Sequence, residues 1–238
     1  MTRSVNRALD VLEALRDATR PLTLSELASR TNMDKATTMR IARDLLERRY
    51  VEQDPDTRRY SMGWSVLELA GRLWSNDSMT QIALRHLEDL RDKTLQTVAL
   101  CARSGDRYVI NLELPSLQPI KFTQGVGASR PLGDDAPGLV ILAFAAGAAG
   151  DDEKPDELDD MAVIREQGYC YSVAAGSPRT ATVAAPVLRA DGSADAAVLL
   201  TWALSGDDPA DETSRRRFSA QVRGCAQRIS GLRRGSGR

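Results

Sequence analysis

Lys35, Thr37, Thr38, Arg40 and Arg43 stand close together in the segment from Asp34 to Arg48, and Arg58 and Arg59 follow in a polar turn. Short hydroxyl side chains with Lys and Arg at the start of a helix suit both phosphate oxygens and base edges in a major groove. Basic residues at a hairpin tip can reach the sugar-phosphate backbone beside that groove. The chemistry this set could do is to grip duplex DNA. Lys35, Arg40, Arg43, Arg58 and Arg59 would hold phosphates, while Thr37, Thr38 and Arg40 would touch bases. A charge run alone ordinarily marks a solvated helix face, so the elements that carry these residues must decide.

Those elements are legible between Leu22 and Gly63. Thr23 with Glu26 three residues on is a capping box, and Leu24, Leu27 and Ala28 supply the inward stripe of a short helix. Thr31, Asn32 and Met33 make a turn. Asp34 is a good N-cap for a second helix, in which Met39, Ala42, Leu45 and Leu46 recur at spacings of three and four. Residues 50–53 and 60–62 read as two short strands around the tip Asp54-Pro55-Asp56-Thr57. Before them, Ser4 to Asp17 is an amphipathic helix with Val5, Ala8, Leu9, Leu12 and Leu15 on one face. Helix, turn, helix and basic hairpin in this order predict a winged helix-turn-helix.

The chain has 238 residues and a formal net charge of -1, a length suited to two domains. Near-neutral total charge does not advertise nucleic acid, so its distribution matters. Residues 1 to 64 carry 12 Lys/Arg against 10 Asp/Glu, a small excess in the right place. Cys101, Cys170 and Cys225 are scattered, with no paired spacing, which argues for reduced thiols and against a metal cluster; no metal or cofactor is expected. No apolar run reaches the roughly 18 residues of a membrane helix. The expectation is a soluble, cytoplasmic protein with no membrane partner.

Residues 64–78 read as a linker helix bearing Trp64 and Trp74, whose rings suit either the protein's own core or a dimer contact. A helix over Thr80 to Lys93 follows. Strands are predicted over Thr97 to Arg103, Arg107 to Leu114, Ile120 to Thr123, Tyr169 to Ser172, Thr182 to Leu188 and Ala196 to Trp202. Helices fall over Ala136 to Ala146, Leu158 to Gln167 and Asp211 to Leu232. Gly147 to Asp159 is an acidic, Gly- and Pro-bearing excursion.

In this order of parts the chain resembles the IclR family of bacterial transcriptional regulators. The resemblance rests on Ser4-Val5-x-Arg7-Ala8-Leu9, Leu22-x-Leu24-x-Glu26-Leu27-Ala28, Lys35-Ala36-Thr37-Thr38-x-Arg40 and Arg59-Tyr60-x-x-Gly63. Further on, Gly127-x-x-x-Pro131-Leu132, Arg165-x-x-Gly168-Tyr169, Ala184-Ala185-Pro186-Val187 and Asp191-Gly192 carry it. It implies an α+β chain of two domains: a winged helix-turn-helix at 1–63, a linker helix at 64–78 and a GAF-like effector-binding domain at 79–238. It also implies a homodimer or dimer of dimers on a double-stranded operator, released or tightened by a small-molecule effector, with repression the commoner outcome.

Carried over by motif, the effector positions are Phe122, Arg130, Ala136, Pro137, Ser172, Thr180, Thr182, Leu199 and Thr201. The family commonly has His and Thr or Ser after Pro-Leu, where this chain has Gly133 and Asp135, and Lys where it has Leu139. Hydroxyls at Thr180, Thr182 and Thr201 around an apolar lining would suit an aromatic or branched carboxylic acid derivative. The alternative is a second domain that only dimerises.

An enzyme is the rival of a different class. The one histidine, His86, lies on a predicted helix beside the linker, Cys101 and Cys170 fall in strands, and Gly125-x-Gly127 lacks the rest of a phosphate-loop fingerprint. No nucleophile and base come together, so no catalytic residue is assigned.

Overall fold

The computed structural model describes residues 3–76, 78–146, 155–175, 179–204 and 212–235. The chain divides into two compact units, Met1–Asp77 and Ser78–Arg238. The acidic stretch 147–154, Asp77 at the end of the expected linker helix, Asp211 at the expected start of the last helix and the final residues 236–238 lie outside the described residues.

The first unit is built from α1 (Arg3–Arg16), α2 (Leu24–Arg30), α3 (Lys35–Glu47), the strands β1 (Val51–Gln53) and β2 (Tyr60–Met62), and α4 (Ser65–Asn76). Local chemistry sets the start of α2. The Thr23 hydroxyl accepts the Glu26 amide at 3.2 Å, and the Glu26 carboxylate accepts the Thr23 amide at 2.7 Å, so two amides without helical partners are satisfied at once. Asp34 starts α3 by accepting the Thr37 amide at 2.8 Å. Val11, Leu15, Leu22, Leu27, Ile41, Ala42, Leu45, Val51 and Tyr60 close over one core.

β1 and β2 pair antiparallel, and Leu22 bridges to Tyr60 on the outer side of β2. At Gly63 the chain leaves the hairpin past Arg49: a side-chain carbon there would lie 2.2 Å from the Arg49 carbonyl oxygen, and the Gly63 amide donates to Tyr50 O at 2.8 Å. Only glycine fits so close an approach.

The second unit comprises α5 (Ser78–Thr94), β3 (Thr97–Ser104), β4 (Arg107–Leu114), β5 (Ser129–Pro131), α6 (Ala136–Ala143), α7 (Pro155–Gln167), β6 (Cys170–Ala174), β7 (Thr180–Leu188), β8 (Ala194–Ala203) and α8 (Glu212–Gly235). Its six strands form one antiparallel sheet in the order β5-β4-β3-β8-β7-β6. Side chains alternate across a strand, and here both faces are covered. Val98, Leu100, Val183, Val187, Val198, Leu200 and Trp202 pack under α5 and α8 with Leu87, Phe218 and Val222. Ala99, Cys101, Tyr108, Ala184, Ala197 and Leu199 pack under α6 and α7 with Val140, Ile141, Met161 and Ile164. Near-continuous apolar runs in β3, β7 and β8 follow from this double burial.

Three sequence expectations change. Residues 120–123 are not a strand. The edge beside β4 is taken by Ser129–Pro131, because the Glu113 carboxylate accepts the Gln124 and Gly125 amides at 2.9 and 2.8 Å and turns the chain away first. Two glycines with positive φ, Gly125 and Gly127, then bring it back to the edge. α7 begins at Pro155, not Leu158, since proline suits the first helical position. α6 ends at Ala143, and the next carbonyl, that of Phe144, accepts the Ala194 amide at 2.7 Å.

Candidate nucleic-acid interface and ligand pocket

α3 shows which of its residues face outward. Lys35, Ala36, Met39, Arg40 and Arg43 are exposed, Thr37 is half-buried, and Thr38, Ile41, Ala42 and Leu45 are buried. Thr38 is therefore withdrawn from the base-contacting set. It is fully buried, and its hydroxyl donates to Asp34 O at 2.9 Å, so an internal partner makes its burial affordable. The inward stripe runs through Thr38, Ile41, Ala42 and Leu45, with Met39 turned to solvent beside Arg40. The sequence spacing that puts Met39 inside leaves out Ile41, the residue whose burial fixes the phase of the stripe.

Thr37 stands at the helix start, its hydroxyl donating to Asp34 Oδ2 at 2.7 Å. The Thr37 amide, and after it the Thr37 hydroxyl, hold the Asp34 carboxyl below the usual carboxylate range.

The hairpin tip is ordered by Asp54, whose Oδ1 accepts the Asp56 and Thr57 amides and the Thr57 hydroxyl at 3.1, 2.7 and 2.8 Å. Arg58 is exposed at this tip with a left-handed backbone, φ 57°, and its own carbonyl accepts Gln53 Nε2 at 3.0 Å. Arg59 is placed differently. Its Nη1 donates to Pro21 O at 3.0 Å and to Glu26 Oε2 at 3.2 Å, while Arg20 Nη2 holds the other Glu26 oxygen at 2.5 Å. Arg59 thus fastens the hairpin to the start of α2, and the candidates for phosphate contact that stay exposed are Lys35, Arg40, Arg43 and Arg58.

In the second unit a cavity of about 410 Å³ opens on the α6 side of the sheet. Strand alternation puts Thr180 and Thr182 of β7 and Thr201 of β8 on that side, with Ala184 and Leu199 deeper along the same strands. Thr182 and Thr201 face each other across the strands with their hydroxyls 3.0 Å apart. Phe122, Arg130, Ser172, Thr180, Thr182 and Thr201 all line the cavity.

Ala136, Pro137 and Leu199 do not. They are buried in the packing between α6 and the sheet, and of Ala136 the backbone amide alone reaches toward the cavity, donating to Ser172 Oγ at 3.1 Å. Sequence reasoning missed Glu113, Lys121, Gln124, Asp134 and Asp135, which line it too. By residue type most of the lining is polar or charged, with Phe122, Val173 and Ala174 its apolar members.

Asp135 is the N-cap of α6. One oxygen accepts the Gly138 amide at 3.4 Å and the other accepts the hydroxyl of the buried Tyr108 at 2.7 Å. Gly138 lets the helix sit hard against the preceding loop, because a side-chain carbon there would come within 2.1 Å of Leu132 O. Arg130, from β5 opposite Tyr108, donates through Nε to Gln124 Oε1 at 3.1 Å.

Comparison with known proteins shows what the chain is similar to. The model of the IclR helix-turn-helix domain matches residues 4–55. The transcriptional regulator KdgR of Escherichia coli K12 is 28% identical over 141 residues, 59% of this chain and 53% of that protein, so the matched stretch spans about half of that relative's length. The crystal structure of an IclR transcriptional regulator from Alicyclobacillus acidocaldarius superposes with a TM-score of 0.82 at 23% identity, covering 98% of this chain and 99% of the other. An IclR homologue from Microbacterium hydrocarbonoxydans, crystallised with 4-hydroxybenzoate, superposes at 0.73 with 19% identity over 98% and 99% of the two chains.

Residues 4–55 are an IclR helix-turn-helix domain, and the chain as a whole is similar in sequence and fold to IclR transcriptional regulators. Its architecture is the one the sequence implied: a helix-turn-helix domain, then helices and a curled antiparallel sheet. IclR relatives are regulators and not enzymes, and the thiols here are suited to packing. Burial pushes Cys101 up to about 12 and Cys170 and Cys225 up to about 11, so none is a thiolate near neutral pH. The Cys225 thiol donates to the backbone carbonyl of His86. Among the described residues no helix is long and apolar enough to cross a membrane, and no three metal-ligating side chains come together.

Proposed function

We propose that this IclR-family chain is a cytoplasmic operator-binding repressor, working as a homodimer or dimer of dimers, whose grip on DNA is set by a small carboxylic acid in the cavity of its second unit. The observation that carries the DNA reading is the outward row Lys35, Arg40 and Arg43 on α3 beside the exposed Arg58 of the hairpin tip. A helix with cations and a half-buried hydroxyl on one side can lie in a major groove, and a hairpin cation can hold the backbone beside it. Two such domains in a symmetric pair read half-sites spaced by the helical repeat.

Association is supported by α4. Trp64, just before it, and Leu67, Leu69 and Leu73 within it are all exposed, a density of apolar surface that marks interaction sites. The effector reading is supported by the cavity with Arg130, Lys121 and four threonines on its walls, and by the aromatic acid held by the Microbacterium homologue. A ligand controls DNA affinity only if it binds two arrangements of the protein unequally.

The test is a gel shift of the full chain on the DNA upstream of its own coding sequence, across a salt series and with and without candidate acids. Salt-sensitive retention that an acid weakens supports the whole reading. Absence of any salt-sensitive binding to duplex DNA overturns it.

A further inference from the structure

The polar groups of the cavity are not arranged to receive an acid at the end of α6. A helix N-terminus ordinarily offers unpaired amides and a positive dipole to an anion, but here the first turn is already occupied. The Ala136 amide donates to Ser172 Oγ at 3.1 Å, residue 137 is proline and has no N–H, and the Gly138 amide donates to Asp135 Oδ1 at 3.4 Å. Asp135 itself brings a carboxylate to the place an acid would take, with Asp134 next to it on the cavity wall. The Tyr108 hydroxyl holds the second Asp135 oxygen at 2.7 Å and fixes the carboxylate where it stands.

The cations lie elsewhere. Arg130 comes from β5, the edge strand beside β4, and Lys121 from the loop leading to it, whereas Ser172, Thr182 and Thr201 come from β6, β7 and β8 across the sheet. A like-charged pair in a confined site costs far more than a carboxylate meeting a hydroxyl donor.

We propose that the effector is a hydroxylated carboxylic acid bound with its carboxylate toward Arg130 and Lys121 and a hydroxyl donating to Asp135. This rests on the reading above that the cavity receives an acid, and it deepens that reading by fixing the ligand's class and direction. Asp135 is then the specificity-determining residue: it accepts a hydroxyl hydrogen and repels any ligand that presents an anion to the start of α6. The charged Asp135 oxygens keep further acceptor capacity beyond the Tyr108 and Gly138 donors, so a ligand hydroxyl gains a charge-assisted hydrogen bond there that the analogue lacking it does not.

The test is calorimetric titration of the full chain with matched acids that differ by one hydroxyl: 4-hydroxybenzoate against benzoate, mandelate against phenylacetate, and glycerate against propionate. At least one hydroxylated member binds, and binds tenfold or more tighter than its partner. Asp135→Asn and Asp135→Ser both keep a residue able to cap α6, so the fold is retained. Each narrows the preference for the hydroxylated member, because a neutral acceptor replaces a charged one, and leaves the deoxy acid unchanged or tighter, while Arg130→Gln weakens both members of a pair alike. Equal affinities within every binding pair, or equal losses for both members in the Asp135 variants, overturn the inference while the acid reading stands. If no acid of the six binds, the acid reading itself falls, and this inference with it.

Discussion

The Tyr108 hydroxyl donates to Asp135 Oδ2 at 2.7 Å from a ring that is completely buried between β4 and α6. Burial, and after it the neighbouring carboxylate, push the phenol well above its ordinary value. The unfolded chain releases that proton near pH 10 while the folded chain keeps it, so this contribution to stability is present below about pH 10 and declines as pH rises beyond. Tyr108→Phe should cost about 1.5–3 kcal/mol at neutral pH, the range for a hydrogen bond to a charged group, and the gap between the two proteins should narrow in alkali. Urea unfolding followed at pH 7 and pH 10.5 checks both.

At the other end of the chain, Arg20 first and the Thr23 amide next hold the Glu26 carboxyl down at about 2, against an ordinary value of 4.5. A lowered carboxyl stabilises above the unfolded value and loses that contribution as pH falls through the folded one. The first unit should therefore lose thermal stability between about pH 4.5 and pH 2, and Glu26→Gln should flatten that decline. Melting curves at pH 7, 4 and 2.5 would show it; parallel declines in the two proteins would contradict the assignment.

On α3 the buried and exposed neighbours predict opposite outcomes. Thr38→Val changes a side chain enclosed in the core and should leave operator preference intact. Met39→Ala, on the exposed side, should alter preference at one base pair, because an apolar side chain there can meet a thymine methyl. Arg58→Ala should weaken all sequences alike and lower the salt slope by about 1. Competition binding over single-base variants of the operator, repeated at several salt concentrations, distinguishes the three.

Gly138→Ala should destabilise the second unit by about 1–3 kcal/mol, the usual cost of forcing extra atoms into a packed site, since the added carbon would stand 2.1 Å from Leu132 O. Ligand binding should weaken in parallel, because α6 must back away from the loop that carries Asp134 and Asp135. Denaturant unfolding and the titrations described above read the two effects separately.

What was legible in the sequence was local. Thr23 with Glu26 and Asp34 with Thr37 announce their helix starts within four residues, and both pairs bond accordingly. The phase of α3 was misread where a buried threonine and an exposed methionine exchange their usual places, a choice made by packing around Ile41 and invisible to hydropathy. The edge strand at Ser129–Pro131 depends on Glu113 catching two amides eleven and twelve residues away, a contact that no local spacing encodes. Asp135 was noted only as a departure from the family's pattern. Its meaning requires Tyr108, which is 27 residues earlier in the chain and meets it only in the folded sheet.

The close passage of Gly63 over the Arg49 carbonyl has a mechanical consequence. With no room for a side chain and with the Gly63 amide tied to Tyr50 O, the joint between the hairpin and α4 is a weld and not a hinge. A twist applied along α4 would therefore bear directly on the backbone at Arg49 and Tyr50, where α3 gives way to the hairpin.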